Sequence, residues 1–127
     1  MPKILIVDDE RSIRNSLKEV LEYEKFEIHE AEDGMEGLQK IKATEFDLIL
    51  CDIKMPKMDG IDLLELALEA KPNSTFIMIS GHGTIDTAVA ALKKGAFDYI
   101  PKPIDLNRLL VSVRNAMDRQ ELIVETQ

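Results

Sequence analysis

DLILCDIKMPKMDG, residues 47–60, decides how the rest of the chain is read. Leu48, Ile49, Leu50 and Cys51 form an apolar run fit for a strand covered on both faces. The run stops at Asp52, a carboxylate that water should prefer, and Pro56 and Gly60 keep the chain from continuing as strand. A hydrophobic strand that ends by presenting a bare acid at the edge of the core needs a reason.

Four further short runs are strand candidates, KILIV (3–7), FEIHE (26–30), TFIMI (75–79) and DYIP (98–101), and three of the five runs are near-continuously apolar. Near-continuous apolar composition predicts central parallel strands, whereas the alternation in FEIHE predicts a sheet edge. Between the runs lie segments with helical spacing. The first carries Ile13, Leu17, Val20 and Leu21, the second Leu38 and Ile41. The third carries Ile61, Leu64 and Leu68 behind a capping residue, Asp59. The fourth shows Ile85, Val89 and Leu92, with Gly95 placed to end it. The fifth shows Leu106, Leu109, Leu110, Val113 and Met117 behind Asp105.

Five strand–helix units in strict alternation predict an α/β fold with right-handed crossovers and helices on both faces. The expected architecture is a doubly wound, five-stranded parallel sheet in the flavodoxin-like order 2-1-3-4-5, because a TIM barrel would need eight units.

Bulk properties bound the function. The 127 residues suit one domain, and 45% apolar with 31% charged residues is ordinary for a globular protein. The formal charge of −8 argues against a domain that itself grips nucleic acid, since phosphate neutralisation needs clustered Lys and Arg. No stretch approaches a membrane span, and MPKILIVDDE lacks a secretory signal. A single cysteine allows no internal disulfide, so a reducing cytoplasm is the expected setting.

Ligands of open α/β sheets bind beyond the carboxyl ends of the strands, where strand order reverses. In a 2-1-3-4-5 sheet that point lies between the first and third strands, so Asp8, Asp9 and Asp52 should converge. Two carboxylates about 5 Å apart repel by roughly 3 kcal/mol at an effective dielectric near 20. Strand-end acids often just cap the following helix, but three at the switch point ask for a cation. Mg²⁺ is the natural one; Ca²⁺ is possible, though no EF-hand pattern is present. The fourth strand ends near Ser80, a hydroxyl that can bond an oxyanion, and the fifth near Lys102, an ammonium that can hold a phosphoryl oxygen.

The acid pair in VDDE, the acid in DIKMPKMDG, the hydroxyl in ISGHGT and the lysine in YIPKPID together resemble the receiver domain of two-component response regulators, the CheY-like family. The resemblance covers residues 3 to about 120. The run SGHGTIDTAVAALKKGAFDYIPKP is similar to receivers of NtrC-like sigma-54-dependent regulators. It implies Asp52 as phosphoacceptor, with Asp9, Asp52 and the Lys54 backbone carbonyl as Mg²⁺ ligands and Asp8 holding metal-bound water. It implies that Ser80 and Lys102 meet the phosphoryl oxygens, that Tyr99 is a switch aromatic, and that the Lys102–Pro103 bond is cis. The chain has no P-loop, so the phosphoryl donor is external. The resemblance points to the phosphohistidine of a histidine kinase, or a small phosphodonor, and to a readout face built from the fourth helix, fifth strand and fifth helix.

On this reading the chain is a phosphorylation-dependent switch rather than a turnover enzyme. Asp52 should be solvent-accessible and fixed by a rigid strand. Residues 1–120 would form the receiver and 121–127 the start of a linker to an output ATPase or DNA-binding domain. A homodimer would form through the readout face or the C-terminal helix, where Leu122, Ile123 and Val124 continue the apolar pattern. Ala90 and Ala91 would lie at the solvent side of the fourth helix. His82 and Lys54 would tune access of water to the acyl phosphate, and Cys51 would be a buried hydrophobe.

Two other readings compete. A haloacid-dehalogenase-like Mg²⁺ phosphatase also uses a strand-end Asp nucleophile, but expects DxD after the first strand, where this chain has Asp8-Asp9-Glu10. A receiver-like interaction module without phosphorylation would lack one of the acids, the hydroxyl or the lysine; none is missing.

Overall fold

The computed structural model describes residues 1–81 and 85–126, with side chains up to 119. His82 and the side chains of Leu122, Ile123 and Val124 lie outside the described residues.

Five strands alternate with five helices: β1 (Lys3–Val7), α1 (Arg11–Tyr23), β2 (Glu27–Ala31), α2 (Gly34–Ala43), β3 (Leu48–Asp52), α3 (Gly60–Ala70), β4 (Phe76–Ser80), α4 (Ile85–Lys93), β5 (Asp98–Pro101) and α5 (Leu106–Thr126). All pairings are parallel and the order is β2-β1-β3-β4-β5. The expected architecture is the observed one, with FEIHE at an edge and shifted by one residue.

Alternation along each central strand divides the core between the two sheet faces. Ile4, Ile6, Leu48, Leu50, Ile77 and Ile79 pack with Leu17 and Leu21 of α1 and Leu109, Val113 and Ala116 of α5. Leu5, Val7, Ile49, Cys51, Phe76 and Met78 face the other way, onto Ile41 of α2, Leu63, Leu64 and Ala67 of α3, and Ala91 of α4. Short polar side chains start α2, α3 and α5. Asp33 accepts from the Glu36 amide at 2.8 Å, Asp59 from Asp62 at 2.8 Å, and Asp105 from Asn107 at 3.0 Å. Gly95, at φ 113°, ends the turn after α4, with the Ala96 amide donating to the Ala91 carbonyl.

The fourth helix corrects the sequence expectation. Its aliphatic positions Ile85, Val89 and Leu92 are 82%, 42% and 46% exposed, while Ala91 is fully buried. The helix docks by its alanine side, so small side chains meet the core cluster and the larger ones form a stripe at i, i+4 and i+7 in solvent. Periodicity identified an apolar stripe but not the direction in which it points.

Candidate functional site at the carboxyl ends of β1, β3, β4 and β5

The register assembles the site. Val7 pairs with Cys51, so the residues that follow, Asp8 and Asp52, leave adjacent strands side by side at the point where strand order reverses. Asp52 is the last residue of β3 and Ser80 the last of β4. Ser80 pairs with Pro101, and its carbonyl accepts from the Lys102 amide at 2.9 Å, which brings Lys102 to the same rim. The Lys102–Pro103 bond is cis, as the sequence resemblance implied.

Lys102 ties the acids together. Its Nζ lies 3.3 Å from Asp8 Oδ2, 3.6 Å from Asp52 Oδ1 and 3.9 Å from Glu10 Oε1. The carboxylates of Asp8 and Asp52 hold the Lys102 pKa above its ordinary value although burial works against the charge. Asp52 is pushed up to about 6, first by burial and then by repulsion from Asp8, with Lys102 pulling the other way. Asp8 is raised by burial, partly offset by the Glu10 amide and by Lys102. Burial, with Asp52 and Asp8 adding to it, also keeps the Cys51 thiol protonated, so Cys51 is the buried hydrophobe expected of it.

Asp52 is less open than its sequence suggested. Only 4% of it is exposed, because the Lys102 side chain lies against it, and Asp8 is buried to the same degree. Asp9 and Glu10 are exposed. Asp8 does serve the next helix as well, since its Oδ1 accepts the Glu10 amide at 2.8 Å. Lys54 is exposed in the loop after β3, beside a cleft lined by Ile53, Met55, Pro56 and Asp59.

Among the described residues, carboxylate oxygens of Asp8, Asp9 and Glu10 lie within 4.8 Å of one another. An all-oxygen, anionic donor set beside a second carboxylate suits a hard divalent cation better than a thiophilic one. Glu10 was not among the residues expected from the sequence, because an exposed acid at a helix start is usually only a favourable dipole partner.

Tyr99 sits next to this rim with its side chain partly buried against the α3–α4 side of the core. Its hydroxyl is buried without a hydrogen-bond partner among the described residues. Its backbone is tied to α5: Arg108 donates to the Tyr99 carbonyl at 2.8 Å, and Asp98 accepts from the Tyr99 amide at 2.8 Å and from Ser112 Oγ at 2.7 Å. A buried hydroxyl without a partner costs about 1–3 kcal/mol, so Tyr99→Phe is expected to raise stability by about 1 kcal/mol in urea unfolding. A loss of stability would mean that the hydroxyl is satisfied in solution.

The arrangement has close relatives. The sequence profile described as "Response regulator receiver domain" matches residues 4–114. Nitrogen assimilation regulatory protein NtrX of Azorhizobium caulinodans is 40% identical over 94% of this chain. This chain spans 27% of that protein, and the same share of the C4-dicarboxylate transport regulator DctD and of ZraR. A CheY-like receiver domain protein from Methanospirillum hungatei has the same structure with a TM-score of 0.91, at 40% identity over 95% of this chain and 97% of the other. The beryllofluoride-activated NtrC4 receiver domain dimer matches with a TM-score of 0.90, at 39% identity over 94% of this chain and 99% of the other. Among the described residues no helix is long and apolar enough to cross a membrane. With these relatives along nearly its whole length, the chain belongs to the response regulator receiver domains, the phosphorylation-dependent switches of two-component signalling.

Proposed function

We propose that Asp52 accepts a phosphoryl group from the phosphohistidine of a sensor histidine kinase. The Lys102 ammonium between Asp8 and Asp52 is the observation that carries this reading. The Asp52 carboxylate attacks phosphorus, the bond from phosphorus to the donor nitrogen breaks, and an aspartyl phosphate results. Lys102 pairs with one phosphoryl oxygen and the Ser80 hydroxyl with another, which is the positioning and charge neutralisation that phosphoryl transfer requires. Asp9, Asp52 and the Lys54 carbonyl would hold Mg²⁺, with Asp8 contacting it through water. When bound, the ion neutralises developing negative charge at the transferring group. The domain so promotes its own phosphorylation and dephosphorylation and turns over no separate substrate.

Ser80 and Tyr99 relay the change to the face formed by α4, β5 and α5. Residues 1–120 act as the receiver, in the cytoplasm, and 121–127 begin a linker to an output domain of the NtrC type that regulates transcription. The receiver makes no contact with nucleic acid of its own.

The exposed stripe of Ile85, Val89 and Leu92 supports a second copy of the chain as the partner of the activated face, as does the dimeric state of the NtrC4 receiver. Beryllofluoride with Mg²⁺ is expected to convert monomer to dimer in sedimentation velocity, and Val89→Glu to weaken the dimer at least tenfold, about 1.4 kcal/mol or more. A Val89→Glu protein that dimerises normally would remove α4 from the interface.

The phosphoacceptor reading is tested by incubation with acetyl phosphate. One phosphoryl adduct should form on the intact protein with Mg²⁺ and none with a chelator. Steady turnover of a generic phosphomonoester would favour the phosphatase instead, and failure to label would favour a silent interaction module.

A further inference from the structure

Arg14 reads in the sequence as one of several charged positions on α1, yet it is only 7% exposed. Arginine is almost never so buried unless its donors are engaged. Its Nη1 donates to the backbone carbonyl of Asp8 at 2.7 Å. On its other side Nε lies 3.3 Å from Glu30 Oε1 on β2, an ion pair without hydrogen-bond geometry, and Nη2 lies 3.9 Å from Glu32. The Asp8 carbonyl belongs to the peptide unit that joins Asp8 to Asp9. The amide of Asp8 is held as well, donating to Ala31 at 3.2 Å, the residue after Glu30. The corner that aims two acids into the site is therefore gripped from α1 and β2 together.

We propose that Arg14 is a positioning residue for the divalent-cation site: its guanidinium fixes the plane of the Asp8–Asp9 peptide and thereby the spacing of the carboxylates that receive the ion. The planar guanidinium suits this task because it can face the carbonyl and the Glu30 carboxylate at once. A lysine carries a single ammonium and reaches one partner or the other. Glu30 is the orienting residue behind Arg14, as outer partners of metal ligands commonly are. Without Arg14 the peptide unit loses its only side-chain anchor among the described residues, and its rotation swings Asp9 relative to Asp8.

The proposal rests on the cation-site reading above, and the test separates the two. Mg²⁺ affinity of the metal-free domain is measured by calorimetry, with no phosphoryl donor present. Wild type should bind; Arg14→Met should bind roughly tenfold more weakly, with Arg14→Lys and Glu30→Gln in between. Ile41→Ala, which opens the core beside Phe46 and Ile49, should unfold more easily yet keep wild-type Mg²⁺ affinity. If Arg14→Met fails to fold, Glu30→Gln and Arg14→Lys decide the matter. Unchanged affinity in the folded Arg14 and Glu30 variants overturns the proposal, as does an equal loss in Ile41→Ala. Absence of Mg²⁺ binding by wild type overturns the cation site itself.

Discussion

Asp52→Asn is expected to abolish labelling by acetyl phosphate and, at the same time, to make the metal-free domain harder to unfold. The first effect follows because an amide is no nucleophile toward phosphorus. The second follows from the direction of the pKa shift. Burial and Asp8 raise Asp52 from 3.8 to about 6, so the fold prefers this carboxyl protonated. Its contribution to stability is present at low pH and is lost as pH rises through about 6, leaving an ionised group that opposes folding at pH 7. Two pKa units correspond to nearly 3 kcal/mol, and the attraction of Lys102 is already contained in that net shift, so a gain of about 3 kcal/mol is expected at pH 7. The advantage of Asp52→Asn should shrink as pH falls from 7 toward 4. Urea unfolding at several pH values in the presence of chelator checks both the sign and the window. A destabilised Asp52→Asn protein at pH 7 would mean that Asp52 is held by attraction, not crowded by its neighbours.

Gly60→Ala should produce the largest loss of stability. A Cβ at this position would lie 2.3 Å from the Asp52 carbonyl oxygen and 2.8 Å from the Ile53 Cα. Both neighbours are backbone, so no side chain can swing aside. The Gly60 amide also donates to the Ile53 carbonyl at 2.8 Å, which clamps the start of α3 against the end of β3. Relieving the overlap requires separating the helix from the strand end. A loss of about 3 kcal/mol or more is expected in urea unfolding. Because the carbonyl of Asp52 is among the displaced atoms, labelling should also slow, by up to about a hundredfold for a displacement near 1 Å. Normal labelling in a folded Gly60→Ala protein would show that the loop accommodates a methyl group without moving the acceptor.

Much of the fold was legible because its cause is local. Continuous apolar runs mark strands buried on both faces, and strict alternation with helices limits the topology to very few sheets. Once strand order is known, the convergence of Asp8 with Asp52 follows from register alone, as does the approach of Ser80 to Lys102. What remained hidden depends on which way a side chain faces. Ile85, Val89 and Leu92 satisfy helical periodicity whether they look inward or outward, and the alanine side won the core. Arg14 looks like a solvated charge until β2 supplies Glu30 to pair with it. Asp52 reads as an open nucleophile until Lys102, fifty residues away, closes over it. The Asp98–Ser112 contact similarly joins two residues whose pairing no spacing rule suggests.

Borohydride trapping tests the central claim most directly. An acyl phosphate on an aspartate is reduced to homoserine, and peptide mapping locates the reduced residue. After treatment with acetyl phosphate and Mg²⁺, homoserine should appear at position 52 alone, and should vanish when the ion is chelated or Lys102 is replaced by alanine. Homoserine at position 8 or 9, or reduction at 52 that persists undiminished without a divalent ion, would contradict the account.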